Sequence, residues 1–447
     1  MKKLLLAIVF SIASILLNAV EQKLLSEKEP ETLTNVRILG KTNKSPLSYL
    51  PGEEIVFTFT LDTGKDKPGD WRFHFRQGGD GLKIQNGKAP VNKPLIVKTS
   101  LTKPGFAFCE VTLHDASGKR IYSETIRPNR KKLKREIIFS AGAAVQPEKL
   151  KDCGEPADFD TFWDQQKKRL AAVPFMGKVE KKLVREYKNG YVYAISIPSA
   201  GPRPATGYLT IPKNAKAKSL PIHVSFFGYG ITKQVPPPVI SSRLINFQVN
   251  AHGQKLEQNE EYYKDFFKSI GGKGYAYNQE HNKDPETCFF NGMALRNLRA
   301  LEYVKTLPEW NGKDLIVKGQ SQGGLQTMWV AALDPAVTEA HPSIIWCCDL
   351  AGSLKQKRFG AFGRVKYTPA LEYYDPVFMA KRIRNAKIVI TRAGLGDYTS
   401  PPSGLAICYN NLATPEKTIK WYQGSNHTII PPEAEIITWT AGKKVEK

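Results

Sequence analysis

The sequence predicts a mostly parallel α/β sheet covered by helices, preceded by a small antiparallel β-sandwich. Two patterns lead to this prediction. Between residues 30 and 140, apolar and polar residues alternate, as in 54–61 and 106–113, and clusters of Gly, Asp and Pro separate the runs. Short alternating strands of this kind are typical of a sandwich, here expected to be immunoglobulin-like. Between residues 147 and 440, short apolar runs alternate with segments of helical period, which is typical of buried parallel strands joined by helices.

The composition is that of a globular chain and excludes several classes of protein. Of 447 residues, 41% are apolar and 24% charged, which rules out a disordered chain, a coiled coil or a collagen. The net charge of +23 favours acidic partners without choosing among them. A basic run between residues 127 and 135 is interpreted as a solvated charge run. The six cysteines lack metal-ligand spacing, so we predict neither a metal nor another cofactor.

The first 19 residues have the features of an export signal. Lys2 and Lys3 precede an apolar stretch at residues 4–17, and a candidate cleavage site follows near Ala19. The apolar stretch is short for a membrane span, so an uncleaved anchor is the less favoured alternative. We therefore expect residues 1–19 to be a signal peptide and the protein to be periplasmic or secreted, without a stable membrane span.

The segment around Ser321 carries the main chemical signal. A predicted strand at 315–318 runs into Gly-x-Ser-x-Gly at residues 319–323, and a helical segment follows at 325–333. In this motif the glycines permit a sharp strand-to-helix turn, which exposes the serine hydroxyl above the sheet. The backbone N–H of the next residue then points at the substrate oxygen. Ser321 is therefore the candidate nucleophile, and the N–H of Gln322 is a candidate oxyanion donor.

A serine nucleophile needs a base, and two histidines follow Ser321 along the chain. His341 is expected at the beginning of a strand, which is the wrong end of the sheet. His427 follows the predicted strand 418–422. Because catalytic groups of parallel sheets lie at the carboxyl ends of the strands, His427 is the candidate base.

The acid that orients the histidine has two candidates. Asp397 follows the predicted strand 387–391, and Asp349 follows the apolar run 344–348, which is also expected to be a strand. We favour Asp397, because its strand directly precedes the strand that leads to the histidine.

A second oxyanion donor is expected from the loop after the predicted strand 222–227, where the N–H of Tyr229 is the candidate.

These motifs resemble the acetyl xylan esterase and cephalosporin-C deacetylase family, carbohydrate esterase family seven. The resemblance covers about residues 147 to 435 and rests on segments 158–163, 227–230, 319–324, 394–397, 401–403 and the His427 loop. It implies an α/β-hydrolase with Ser321 as nucleophile, His427 as base and Asp397 as acid. It also implies that backbone amides of Tyr229 and Gln322 form the oxyanion hole. The implied reaction is a metal-free removal of O-acetyl groups from sugars or xylan-type polysaccharides through an acetyl-enzyme intermediate.

The chain departs from the family pattern at three places that bear on the substrate. His252-Gly253-Gln254 stands where the family has Arg-Gly-Gln, Thr428 follows the candidate base in place of Glu, and Phe227 replaces His in the oxyanion loop. Pocket shape and the ring-shaped oligomer of the family are therefore in question, and an oligomer stays open. His252, Gln254 and Tyr277 are the candidate substrate-binding residues, the last because its ring suits stacking on a sugar.

Three other interpretations stay open at this point. The first keeps the fold but acts on another ester or on a peptide. The second is a catalytically inactive glycan-binding protein, in which the sandwich is the working part. The third, nucleic-acid binding driven by charge, is disfavoured because the sequence has no helix-turn-helix, zinc-finger or ribonucleoprotein pattern. We expect an acetylated carbohydrate as the partner and no nucleic acid.

Overall fold

The structure is a computed structural model that describes residues 31–32, 36–64, 69–126, 132–230, 233–360, 365–441 and 443–445. The expected signal peptide and residues 127–131 of the basic run lie outside these described residues. Among the residues described, no helix is both long enough and apolar enough to cross a bilayer.

The N-terminal region consists of antiparallel strands, as predicted. The strands are β1 Glu31–Thr32, β2 Arg37–Thr42, β3 Ile55–Asp62, β4 Arg72–Gly79, β5 Leu82–Pro90, β6 Leu95–Thr99, β7 Gly105–His114, β8 Tyr122–Ile126, β9 Lys132–Glu136 and β10 Ile138–Val145. Two sheets, ordered β10-β7-β4-β5 and β2-β3-β6, share one apolar core, and β1, β8 and β9 form a small third sheet. The alternation in β3 buries Ile55, Phe57 and Phe59 in that core. We call these two packed sheets the N-terminal sandwich.

The C-terminal region is built on one large sheet of the expected α/β kind. Its strands are β11 Glu180–Tyr187, β12 Gly190–Ile197, β13 Ala205–Pro212, β14 Leu220–Phe226, β15 Ile245–Asn250, β16 Trp310–Gln320, β17 Glu339–Ser343, β18 Lys387–Gly394, β19 Lys417–Tyr422, β20 Ile436–Thr440 and β21 Lys443–Val445. Its order is β11-β12-β13-β15-β14-β16-β17-β18-β19-β20-β21. The central strands from β15 to β19 are parallel, and the pairings toward both edges are antiparallel.

Helices follow several of these strands, and they range from largely exposed to almost fully buried. The α-helices are α1 Phe159–Ala171, α2 Glu260–Ser269, α3 Phe289–Val304, α4 Gln322–Leu333, α5 Gly352–Lys355, α6 Pro376–Met379 and α7 Pro402–Asn411. Helices α3 and α4 are buried over nearly their whole length. This explains why α4 is apolar around most of its circumference and shows little amphipathic contrast in its sequence.

The apolar run 344–348, expected to be a strand, is a turn. The strand at this place is β17, and the chain bends immediately after it. Ile344 N–H donates to the carbonyl of Arg392 at 2.8 Å, and Trp346 N–H donates to the carbonyl of Ser321 at 3.2 Å. The run is apolar because it is buried over the beginning of α4 and not because it pairs in the sheet.

Strand β10 is the edge strand of its sheet in the sandwich and lies directly against two loops of the C-terminal region. Gly142 exchanges two hydrogen bonds of 2.8 Å with the side-chain amide of Gln423. A Cβ on Gly142 would lie 2.1 Å from the carbonyl oxygen of Leu395, and a Cβ on Gly396 would lie 2.1 Å from that of Ser140. The two regions therefore meet backbone to backbone at the loops that follow β18 and β19.

The variant Gly142→Ala tests this contact. Because a methyl group would meet a carbonyl that cannot move away as a flexible side chain can, we expect a loss of about 1–3 kcal/mol in the free energy of unfolding. Thermal unfolding checks the loss, with Gly274→Ala as the control, since a Cβ at that position has no atom within 4 Å. Equal unfolding midpoints for the two variants would contradict the close approach.

Candidate active site

Ser321 occupies a strained turn between β16 and α4. Its φ of 58° and ψ of −118° lie outside the regions that L-residues ordinarily adopt. Two backbone hydrogen bonds hold the turn, one of 2.9 Å from Ser321 N–H to the carbonyl of Ser343 and the other from Trp346. A Cβ on Gly319 would lie 2.3 Å from the carbonyl oxygen of Gly323. Only glycine permits this approach, so local packing explains the first glycine of the Gly-x-Ser-x-Gly motif.

His427 connects Ser321 to Asp397 through two hydrogen bonds. Its Nε2 lies 3.0 Å from Ser321 Oγ, and its Nδ1 lies 2.9 Å from Asp397 Oδ2. The Asp397 side chain is fully buried, while that of His427 is 21% exposed. The sequence-predicted Ser, His and Asp are thus brought together at the carboxyl edge of the parallel strands.

The surroundings of Asp397 decide which nitrogen of His427 carries a proton. Asp397 Oδ1 accepts hydrogen bonds from the backbone N–H groups of Thr399 and Ser400 at 3.0 and 2.9 Å. As a carboxylate, Asp397 can only accept, so Nδ1 of His427 donates to it. The lone pair on Nε2 is then directed at the hydroxyl of Ser321, which is the arrangement needed to remove its proton.

The two competing candidates from the sequence lie elsewhere. Asp349 forms an ion pair of 2.6 Å with Arg358, and its backbone N–H donates to Asp375. His341 lies within β17, with its Nε2 3.1 Å from the carboxylate of Glu339. Neither residue is a partner in the hydrogen bonds that join Ser321, His427 and Asp397.

An open cleft of about 810 Å³ begins at Ser321 and His427. This volume falls within the range of small-molecule sites. Its lining is mainly aromatic, with Phe227, Tyr229, Tyr277 and Trp346 among its walls. Of these, Trp346 was assigned to a strand by the sequence pattern, which contains no signal that places its ring beside the serine.

The two candidate oxyanion donors belong to residues near the nucleophile, since Gln322 follows Ser321 in the chain and Tyr229 lines the same cleft. Gln322 is the first residue of α4, and N–H groups in the first turn of a helix have no partner within the helix. Its side chain is buried, with Oε1 accepting a 2.8 Å hydrogen bond from Tyr275 Oη. Tyr229 lines the cleft, and its ring stacks on that of Tyr275 at 4.6 Å. Both loops are thus held by the same tyrosine.

Of the three predicted substrate-binding residues, the structure brings Tyr277 to the cleft but not His252 or Gln254. The side chains of His252 and Gln254 are buried behind the Tyr229 loop, where His252 Nε2 lies 3.0 Å from the carbonyl of Gly230. The ring of His252 also packs edge-on against Tyr275 at 4.7 Å. The contacts of His252 support the oxyanion loop from behind, and neither residue forms part of the cleft wall.

Burial controls the protonation of His252. It lowers the pKa of this histidine to about 3, although the hydrogen bond with Gly230 acts in the opposite direction. The folded protein therefore holds a neutral imidazole at neutral pH.

Among the described residues, no group of three or more His, Cys, Asp or Glu side chains could hold a metal ion.

The depressed pKa of His252 makes stability depend on pH. In the unfolded chain this histidine takes up a proton near pH 6.5, whereas in the folded protein it does so only near pH 3. The contribution of neutral His252 to the free energy of unfolding is therefore complete above about pH 6.5. This contribution is lost as the pH falls toward 3. We expect His252→Asn to flatten the pH dependence of the unfolding free energy by about 1 kcal/mol per pH unit between about pH 6 and 5.

Urea unfolding at several pH values measures this slope. The control is His281→Asn, because His281 is exposed to solvent and its replacement should leave the slope close to that of the original protein. A slope that is the same for His252→Asn and His281→Asn would show that His252 is not held neutral by the fold.

Comparison with known proteins identifies the family. Residues 148–357 and 364–442 match the acetyl xylan esterase (AXE1) family. The acetyl esterase Axe7A of Xylanibacter ruminicola is 31% identical over 295 residues, which cover 61% of this chain and 64% of that protein. The chain thus spans somewhat less than two thirds of the length of this curated relative.

Two solved structures share the fold. The acetyl xylan esterase from Paenibacillus sp. R4 has a TM-score of 0.54 and 25% identity, over 64% of this chain and 94% of that one. Acetyl xylan esterase 1 from Thermoanaerobacterium sp. JW/SL YS485 has a TM-score of 0.50 and 20% identity with the same coverage, and shows likeness of fold alone. The family match extends over most of the chain. The parallel sheet and helices of the matched region form an α/β-hydrolase fold. The chain therefore belongs to the acetyl xylan esterase family, a family of carboxylic ester hydrolases.

Proposed function

We propose that this protein is a serine esterase that removes O-acetyl groups from acetylated sugars or xylan-type polysaccharides. The observation that carries the proposal is the hydrogen-bonded series Ser321, His427 and Asp397 at the mouth of the aromatic cleft. One relative is named an acetyl xylan esterase and another is named an acetyl esterase, which supports acetate as the acyl group.

The first half of the proposed reaction transfers the acetyl group to the enzyme. Ser321 Oγ attacks the acetyl carbonyl carbon while its proton passes to Nε2 of His427. The negative charge that develops on the carbonyl oxygen is stabilised by the backbone N–H groups of Tyr229 and Gln322. When the tetrahedral intermediate collapses, the sugar oxygen takes the proton from Nε2 and leaves as a free hydroxyl.

The second half releases acetate. Water attacks the acetyl-Ser321 ester while His427 takes one of its protons, and the same N–H groups stabilise the second oxyanion. Collapse returns the proton to Ser321 Oγ and frees acetic acid, which ionises in solution. Asp397 stays a carboxylate throughout and holds the imidazole in the tautomer that both steps need.

The aromatic walls of the cleft suit a carbohydrate leaving group. The exposed rings of Phe227 and Tyr229, at 45% and 37% exposure, offer faces on which a sugar ring can stack. The rings of Tyr277 and Trp346, which also line the cleft, pack directly against that of Tyr229, with centroids 6.0 and 5.3 Å from it. We further propose export through residues 1–19, which would bring the enzyme to polysaccharides outside the cytoplasm.

Removing the nucleophile tests the function directly. We expect Ser321→Ala to lower acetate release from acetylated xylo-oligosaccharides by about 10³-fold or more, because the acetyl-enzyme can no longer form. Release is measured alongside hydrolysis of para-nitrophenyl acetate and butyrate. The control is Ser269→Ala, an exposed serine at the end of α2.

Each outcome of this experiment selects one interpretation. Serine-dependent release from the oligosaccharides supports the deacetylase. Hydrolysis of the nitrophenyl esters alone would keep the hydrolase and discard the sugar substrate, and butyrate turned over as fast as acetate would indicate another acyl group. No serine-dependent turnover of any ester would overturn the mechanism in favour of the glycan-binding interpretation.

The role of the acid has its own test. In Asp397→Asn an amide replaces the carboxylate, can donate to Nδ1 and favours the wrong histidine tautomer, so we expect kcat to fall by about 10³- to 10⁴-fold. Asp349→Asn is the matched variant, since Asp349 is also buried but is ion-paired with Arg358. Rates are expressed per folded enzyme, measured by circular dichroism. A larger loss in Asp349→Asn would show that the acid is assigned wrongly.

A further inference from the structure

A second cavity adjoins the cleft on the far side of His427. It measures about 210 Å³ and shares Thr399 and His427 with the main cleft. Its floor is formed by the Asp397 and His427 loops of the C-terminal region. Its remaining wall comes from the N-terminal sandwich, which contributes Arg76, Phe108 and Glu110.

The register of the sandwich explains why two charged side chains meet in this wall. Arg76 on β4 is paired directly with Glu110 on β7, and side chains opposite each other on neighbouring strands point to the same face of the sheet. Both residues are half-buried. A guanidinium and a carboxylate are therefore held side by side at the edge of the cavity.

A polar connection leads from this pair to the loop of the base. Glu110 Oε2 accepts a 3.2 Å hydrogen bond from Ser140 Oγ on β10. Asn426 Nδ2 in turn donates to Ser140 Oγ at 3.4 Å, and Asn426 directly precedes His427. The wall of the cavity and the catalytic loop are thus linked through one serine.

The sandwich is also held in place by aromatic contacts beside the acid. The ring centroid of Phe108 lies 4.3 Å from that of Tyr398 and 5.2 Å from that of Phe359. Tyr398 is the residue after Asp397. The backbone N–H of the same Phe359 donates to Asp80 Oδ1 at 2.8 Å. These contacts between the sandwich and the C-terminal region help to fix the position of Arg76 and Glu110 relative to His427.

We propose that the N-terminal sandwich completes the active site by supplying a sugar subsite, in which Arg76 and Glu110 bind the residue next to the acetylated one. This inference rests on the proposed deacetylase function. Arg76 offers only donors and Glu110 offers acceptors, a combination that matches neighbouring hydroxyl groups on one sugar ring. Because the pair carries opposite charges, it favours a neutral sugar over a uronate, despite the chain's net charge of +23.

The place where the two cavities meet sets the path that a bound glycan chain follows. When an acetylated residue lies in the main cleft with its ester at Ser321, the adjoining residue passes Thr399 and His427 into the smaller cavity. A single acetyl ester of a small alcohol does not extend that far. The subsite therefore acts on chains of sugars and has little influence on small esters.

Replacing Arg76 tests the subsite through a comparison of two substrates. We expect Arg76→Ala to lower kcat/KM for acetylated xylo-oligosaccharides about tenfold more than for para-nitrophenyl acetate, mainly through a rise in KM. Glu110→Gln keeps the shape of the side chain and its hydrogen bond with Ser140 but makes it a weaker acceptor. This variant should therefore also lower kcat/KM for the oligosaccharides relative to kcat/KM for para-nitrophenyl acetate. Arg72→Ala is the matched control, because Arg72 lies on the same strand, is exposed and is not part of the cavity.

The outcomes separate this inference from the proposed function. Suppose that the unaltered enzyme deacetylates the oligosaccharides while Arg76→Ala and Glu110→Gln lower kcat/KM equally for both substrates. In that case the proposed subsite is wrong and the deacetylase function stands. A loss confined to glucuronate-bearing oligosaccharides would replace the neutral subsite with an anion site. If the unaltered enzyme releases no acetate from any sugar, the function and the subsite fall together. Unfolding midpoints of each variant ensure that a folding defect is not read as a binding effect.

Discussion

The close approach of backbone segments around Ser321 is the constraint on which the active site depends. Helix α4 begins on top of β16 because Gly319 leaves room for the carbonyl of Gly323, and Gly323 in turn lies against the carbonyl of Phe226 at the end of β14. A side chain at either glycine would push the helix away from the sheet. The strained conformation of Ser321, of a kind that costs about 1–3 kcal/mol, persists because these contacts and the turn after β17 leave it no alternative.

The same kind of contact joins the sandwich to the loops that carry the proposed catalytic residues. Gly142 and Gly396 bring β10 against the loop that carries Asp397, and Gln423 fastens β10 to the loop that carries His427. Asp397 and His427 are therefore supported from two sides, by their own strands and by the sandwich. Preorganised positions of this kind are what serine catalysis needs, since small displacements of catalytic groups are costly in rate.

Net charge is a poor guide to this site. The whole chain carries +23, yet the charged residues that line the smaller cavity include one arginine and two acidic side chains, while the main cleft is mostly aromatic. The positive charge is distributed over a surface far larger than the two cavities. Aromatic faces and paired donors and acceptors support the proposed sugar substrate better than the overall charge does.

The sequence alone determined the features that depend on local chemistry. Period-two alternation predicted the antiparallel sandwich, the Gly-x-Ser-x-Gly motif predicted the turn at Ser321, and the order of strands pointed to Asp397 and His427. The first two signals lie within a few residues of the features that they predict, whereas the third depends on which strand each loop follows. The apolar run 344–348 shows the limit, because burial alone produced a pattern that resembles a strand.

Only the tertiary structure decided which distant residues share the cavities. His252 and Gln254 stand in a motif that suggested substrate contact, but packing behind Tyr275 places them inside the protein. Arg76 and Glu110 lie in ordinary alternating strands, where charged residues are expected on the solvent face. They line a cavity beside His427 because β10 docks the sandwich against the catalytic loops, and no sequence periodicity encodes contacts between segments some 300 residues apart.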